Sequence, residues 1–175
     1  MAGNLVQVAT ETVSSAVASV TLTGINDDSV YMVAVSNVAP DTANRQLYMR
    51  LTKSGSADTT SNYDYGYRAL RTDTSNQSSG NSNISFWQTS NYGNSTGTSQ
   101  TMNGIFYLYN FYSSSSFSFV TNETVNRTGA NLLIGVQGGG LHSVASSSDG
   151  IFFYYNADNI NSGTFTLYRI TWYEY

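Results

Sequence analysis

Apolar and polar residues alternate with a period of two in short segments along most of the chain, and no segment has convincing helical periodicity. A period of two is typical of a half-buried strand, because successive side chains of a strand point to opposite faces of the sheet. Polar turn residues separate these segments at short intervals, as in β-sandwiches and barrels. The sequence therefore predicts a single all-β domain of about 8–10 strands.

The strongest strand patterns lie in the segment from Asp149 to the C-terminus. It contains two predicted strands, which we expect to close the fold. In the second of them neither face is purely polar, as expected of a strand with a core on one side and a neighbour on the other. Three glycines, Gly138 to Gly140, are predicted to form a flexible loop. The predicted strands are Ser19–Ile25, Val30–Val38, Arg45–Lys53, Tyr63–Leu70, Asn83–Thr89, Asn103–Tyr112, Phe117–Thr121, Asn131–Gln137, Gly150–Tyr155 and Thr164–Tyr173.

The strand patterns occupy residues 19–175, and residues 1–18 alternate only weakly. We predict one β-sandwich domain over residues 19–175, preceded by an N-terminal arm over residues 1–18 that contacts the domain or a neighbouring subunit. The chain lacks cysteine, a signal-peptide pattern and any apolar run of membrane-spanning length. We therefore expect synthesis in a cytoplasm, no disulfides and no membrane insertion.

Charged residues make up only 10% of the chain, and the formal net charge is −4. The seven Lys and Arg residues are scattered, whereas a nucleic-acid interface needs a concentrated cationic footprint. The sequence therefore predicts no nucleic-acid partner. Its surface is expected to be neutral and polar, rich in Ser, Thr, Asn and Tyr.

The sequence contains no recognisable catalytic or metal-binding motif, and its one histidine, His142, is predicted to lie in a surface loop. Asp64, Glu123 and Asp149 are available as the carboxylate pair of a glycosidase, although nothing in their local sequence marks them. We predict no catalytic residues, no metal and no cofactor, and hence no enzyme. A hydrolase of surface polysaccharide remains the least favoured alternative.

Aromatic residues suggest two kinds of contact surface. Tyr63, Tyr65 and Tyr67 alternate along one predicted strand, and Trp87 lies in a Ser- and Asn-rich region. Such residues fill a core or a subunit interface, and Tyr and Trp also supply rigid contact area for a ligand such as a glycan. The sequence leaves both interpretations open.

Three stretches of the sequence resemble small β-sandwich structural proteins of tailed bacteriophages. The first is TETVSSAVASVTLTGINDDSVYMVAV, similar to that family's opening hairpin, and the second is RQLYMRLTKSGSADTTSNYDYGYRAL, similar to a strand followed by a Tyr-rich segment. The third is IFFYYNADNINSGTFTLYRI, similar to the family ending, in which a strand and a loop precede a Ser-Gly-Thr turn and a last strand. The resemblance covers most of the chain and is poor over residues 71–100.

The resemblance implies a jelly-roll-like virion protein without catalytic residues. The expected function is a capsid decoration (cement) protein or a head or tail appendage, exposed on the outside of the particle. Its expected partners are further copies of itself, with a homotrimer as the expected state, and the major capsid protein or tail proteins. The candidate self-association residues are Tyr63, Tyr65, Tyr67, Tyr107, Tyr109, Trp172 and Tyr173.

The alternative function is the receptor-binding tip of a tail fibre, which recognises a host surface glycan. Tyr and Trp side chains stack on sugar rings, and neighbouring polar groups bond the sugar hydroxyls. For this function the candidate ligand-binding residues are Trp87, Tyr92 and His142.

Overall fold

The computed structural model describes the backbone of residues 3–172 and the side chains of residues 4–171. This part of the chain is all-β, with no helix and thus no helix that could cross a membrane. Its strands are β1 (Gly3–Val13), β2 (Val20–Thr23), β3 (Tyr31–Pro40), β4 (Leu47–Lys53), β5 (Ser56–Ala57), β6 (Tyr63–Arg71), β7 (Gln77–Ile84), β8 (Trp87–Gln88), β9 (Met102–Tyr109), β10 (Ser118–Arg127), β11 (Leu133–His142), β12 (Gly150–Tyr155) and β13 (Ile160–Trp172).

The strands form two antiparallel sheets. The large sheet has the order β1-β13-β3-β9-β10-β11-β6-β7, and the small sheet has the order β2-β12-β4-β5, with β8 also paired to β4. Four nested pairs, β1 with β13, β2 with β12, β3 with β9 and β4 with β8, give the connectivity of a jelly roll. The predicted fold class, an antiparallel jelly-roll-like sandwich, is confirmed.

Five strands lie outside these nested pairs. β10, β11, β6 and β7 extend the large sheet beyond β9, and β5 pairs with the end of β4. The sequence did not predict β7, because its residues, QSSGNSNI, are almost all polar. It is one of the two edge strands of the large sheet and its side chains are exposed or half-exposed, so no apolar alternation is needed there.

The core lies between the small sheet and the inner face of the large sheet. On β3 every second side chain (Tyr31, Val33 and Val35) points into it, as the alternating pattern predicts. Burial of an aliphatic or Phe side chain contributes roughly 1.5–3 kcal/mol, so this layer supplies most of the stabilising free energy. Three rings from both sheets meet at its centre, with centroids 5.6 Å (Phe106 to Phe153) and 5.2 Å (Phe153 to Phe165) apart.

The predicted glycine loop is wrong, because Gly138 to Gly140 lie in the middle of β11. A Cβ atom at Gly138 would lie 2.4 Å from Cβ of Tyr67, and one at Gly140 would lie 2.5 Å from Cδ1 of Trp87. Both distances are shorter than any normal contact. The glycines therefore make room for two large aromatic residues beside the strand, and flexibility is not their role.

The predicted N-terminal arm is largely a strand of the domain. β1 pairs along its length with β13, from Gly3 opposite Trp172 to Val13 opposite Gly163. Farther along, Val17 exchanges backbone hydrogen bonds with Ile160. The first strand of the chain is thus fastened to the last one, and the described part of the segment lies against its own domain.

Candidate functional site

The tyrosines of β6 line the inner side of the large sheet. Tyr63 is fully buried, and its hydroxyl donates to the carbonyl of Asp58 at 2.7 Å. Tyr67 is also buried, and burial raises the pKa of its hydroxyl to about 12. Tyr65 is half-buried and donates to Oε1 of Gln88 at 2.6 Å. Tyr63 and Tyr67 are therefore interior residues, which corrects their proposed place in a subunit interface.

The three residues proposed to bind a glycan do not form a surface site. Trp87 is 1% exposed, and its indole N–H donates to the carbonyl of Leu141 at 3.0 Å. His142 is fully buried, so the prediction of a surface loop histidine is wrong. Both rings pack edge-on against Tyr63, with centroid distances of 4.9 and 4.8 Å. Tyr92 belongs to a second cluster, where the Arg71 guanidinium lies 4.8 Å above its ring.

His142, which is buried, lies beside the ion pair of Asp58 and Lys53. Its Nε2 lies 3.5 Å from Oδ2 of Asp58, and the same carboxylate oxygen lies 2.8 Å from Nζ of Lys53. Burial lowers the pKa of His142, although the Asp58 charge opposes this effect. Burial also acts to raise the pKa of Asp58, but bonds from Lys53 and Thr60 lower it to about 2. The cluster therefore holds a neutral imidazole beside a carboxylate–ammonium pair at neutral pH.

Two of the three carboxylates considered for a glycosidase have local structural partners. Asp149 accepts bonds from the Thr52 hydroxyl at 2.6 Å and from the Gly55 amide at 2.8 Å, and so fixes a turn. Asp64 accepts the amide of Asn83 at 2.8 Å at the edge of the large sheet. Among residues 3–172 no three His, Asp or Glu side chains are grouped closely enough to hold a metal ion.

The outer face of the large sheet, which points away from the core, is the main candidate for interaction. Tyr168 of β13 lies opposite Met32 of β3, and Met32 lies opposite Tyr107 of β9. Ile170 and Ile105 lie on the same face, and so does Tyr109. We call the outer-facing side chains of β13, β3 and β9 the assembly face. Two candidates from the sequence, Tyr107 and Tyr109, belong to it.

The assembly face is apolar, aromatic and uncharged. Its large side chains are half-exposed, whereas those on the opposite side of the same strands are buried beneath the small sheet. Within the described part of these three strands, the remaining outward residues are Thr, Ser, Ala and Asn. This surface therefore carries aromatic and aliphatic groups in contact with solvent and no ionised group of its own. The carboxylate of Glu123 on β10, opposite Ile105, lies at its border.

The sequence missed Met32, Ile105, Tyr168 and Ile170 as members of this face. The sequence offered one indication of this face. Both faces of the last strand carry apolar residues, which indicates that each of them contacts other residues. Two further candidates cannot be assigned to the face. The side chain of Trp172 and the whole of Tyr173 lie outside the described residues.

Comparison with protein-family models, with curated proteins and with solved structures finds no match to this chain.

Proposed function

We propose that this protein is a non-enzymatic structural subunit of a bacteriophage particle, either a capsid decoration protein or a head or tail appendage. It acts by self-association, with a homotrimer as the expected state, and by docking on the major capsid protein or on tail proteins at the exterior of the virion. The observation that carries this proposal is the assembly face, an uncharged aromatic surface on three adjacent strands.

The composition of the assembly face favours burial against another protein surface. Tyr and Met are enriched at protein interfaces, and charged side chains are depleted at their centres. Each Å² of apolar surface removed from water contributes roughly 25 cal/mol, and without ions there is little desolvation cost to offset it. A contact made by Tyr168, Met32 and Tyr107 with a second copy is therefore favourable.

The closing segment supports the assignment to a phage particle. It contains the Ser-Gly-Thr motif, which lies near the start of β13 where the pairing with β3 shifts register, and there Gly163 has a φ of 135° and lies against Val38. A side chain at this position would be strained by the backbone and would clash with Val38, so the glycine of the motif has a structural reason. The glycine of the motif is thus required by the backbone at the start of β13, where this strand begins to pair with β3.

Two measurements test the proposal. Size-exclusion chromatography with light scattering should give the mass of a homo-oligomer at micromolar concentration, and mass spectrometry of purified particles of the phage that carries this gene should detect the chain. A monomeric mass would contradict self-association. Absence of the chain from washed particles would contradict the structural role.

A further inference from the structure

β1 forms one edge of the large sheet, and its free side has the chemistry of a strand that lacks a neighbour. β13 lies on one side of it, and within residues 3–172 no strand lies on the other. In this part of the chain, the backbone of Leu5, Val6 and Gln7 forms no backbone hydrogen bond outside the pairing with β13. An edge strand presents a row of N–H and C=O groups, to which a further extended strand can bind.

Leu5 and Val6 are both exposed, although they lie on opposite faces of the sheet. Leu5 is opposite Ile170 on the outer face, and Val6 is opposite Arg169 on the inner face. Their exposed fractions are 54% and 40%. A partner that docks on one face of the sheet covers only one of these side chains. A strand that pairs along the edge covers part of both, because its own side chains alternate between the two faces. The two exposures therefore indicate a strand as the occupant.

The opposite edge of the same sheet shows what a solvent-facing edge looks like in this protein. Before Ile84, β7 contains only Gln, Ser, Gly and Asn, and its side chains are exposed or half-exposed on both faces. β1 has Leu and Val where β7 is polar, and it contains no Lys or Pro, two residues that protect an edge from pairing. The combination of a free edge with exposed apolar side chains on both faces is thus a property of β1 and not of β7.

The exposed part of β1 ends at a bulge. Side chains of residues 4–7 are all exposed, and the register with β13 shifts between Gln7 and Ala9. At the bulge, Val8 packs against Gly24, where a Cβ atom would lie 2.6 Å from its Cγ1. Glu11, the one charged residue of β1, lies beyond the bulge. The segment open to a partner is therefore the uncharged first half of the strand.

We propose that the first half of β1 pairs antiparallel with the same segment of a second copy of this chain, so that two large sheets join into one. Like charges directly opposite each other destabilise a strand pair. Around a twofold axis at Leu5 or at Val6, the paired residues are uncharged and the two Glu11 carboxylates do not meet. The contact uses the backbone edge of β1 and not the side chains of the assembly face, so it goes beyond the self-association proposed above and does not depend on it.

Hydrogen exchange of the full chain, followed by mass spectrometry, tests this pairing, because a strand partner protects the backbone amides of the edge it covers. We expect the β1 amides to exchange more slowly as the protein concentration rises, and the β7 amides to exchange at an unchanged rate. Leu5→Lys should remove the protection and weaken the contact about tenfold, since it places two ammonium groups close together at the joined edges. Leu5 is exposed, so the substitution leaves the core intact.

Leu70→Lys is the matched control, because Leu70 is also 54% exposed on the large sheet but lies on β6, away from β1. This variant should exchange like the wild type, and Tyr107→Glu should keep the protection of β1. Equal exchange of the β1 amides in Leu5→Lys and Leu70→Lys would overturn the proposal, and so would loss of their protection in Tyr107→Glu. Protection that appears only after capsid or tail proteins are added would assign the edge to a strand of another protein, which also overturns pairing with a second copy.

Discussion

Gly140 lies directly beside Trp87, so that a Cβ atom at Gly140 would come within 2.5 Å of Cδ1 and 2.7 Å of Nε1 of the indole. The indole N–H also donates to the carbonyl of Leu141, the next residue of the same strand. The indole of Trp87 thus packs directly on the backbone of β11, and its other contacts include the rings of Tyr63 and Phe111. This contact links the extension of the large sheet to the main core.

Gly140→Ala should destabilise the protein by about 2 kcal/mol, because the added methyl group overpacks the site and displaces Trp87. Urea unfolding followed by tryptophan fluorescence measures the effect. Gly135→Ala is the matched control on the same strand, and it should leave the free energy of unfolding unchanged or raise it by about 0.5 kcal/mol, since alanine is favoured over glycine in a strand. Equal effects of the two substitutions would contradict the role of the glycine run.

The stability of the protein should fall as the pH drops below about 6.5, the ordinary pKa of histidine. His142 faces Asp58, Lys53 and Tyr63, and burial lowers its pKa in the folded chain. Below pH 6.5 the unfolded chain therefore takes up a proton that the folded chain does not, and the free energy of unfolding falls by up to about 1.4 kcal/mol per pH unit. Above pH 6.5 the imidazole is neutral in both the folded and the unfolded chain, so His142 no longer makes the free energy of unfolding depend on pH.

His142→Gln should remove this part of the pH dependence in urea titrations between pH 7 and pH 5. In this variant the free energy of unfolding should still fall below about pH 4, where the aspartates are protonated. Hydrogen bonds and charged neighbours lower the pKa of Asp27 and of Asp58 to about 2, against the effect of their burial, so both lose a stabilising charge as they are protonated. An unchanged profile between pH 7 and pH 5 in the variant would show that another group titrates there.

Tyr107→Glu should shift the protein towards monomer by at least tenfold in the dissociation constant, because it places a charge on the uncharged assembly face beside Met32. Analytical ultracentrifugation over a concentration series measures the shift. Tyr112→Glu makes the same chemical change at a tyrosine that is 44% exposed and lies outside the assembly face, in the loop after β9. If Tyr112→Glu dissociates the protein and Tyr107→Glu does not, subunits associate through a different surface.

Asn94→Ala should destabilise the protein by about 3 kcal/mol, because it leaves two buried groups without a partner. Nδ2 of Asn94 donates to the carbonyl of Val38 at 2.7 Å, and its Oδ1 accepts the Tyr155 hydroxyl at 3.0 Å. Thermal and urea unfolding give the loss. The exposed Asn161 is the control, and Asn161→Ala should stay within about 0.5 kcal/mol of the wild type. Adding Tyr155→Phe to Asn94→Ala should recover part of the loss, and no recovery would mean that the hydroxyl is satisfied in another way.

The sequence by itself determined the fold class and the positions of most strands, because period-two alternation is a local property that follows from strand geometry. It also named Tyr107 and Tyr109 as candidates, and their side chains lie half-exposed on the outer face of the large sheet. Alternation separates two faces but does not say which one meets the core. Tyr63 and Tyr67 were assigned to the wrong surface for that reason.

Only the tertiary structure decided the positions that depend on pairing between distant strands. Gly138 and Gly140 look like a loop in the sequence, and they belong to a strand because Tyr67 and Trp87 fill the space beside them. His142 is buried because β11 brings it to Tyr63 and Asp58, residues far from it along the chain. The assembly face likewise arises from cross-strand neighbours. Strand register sets such neighbours, and the alternation within one strand gives its two faces but not its pairing with a strand far away in the sequence.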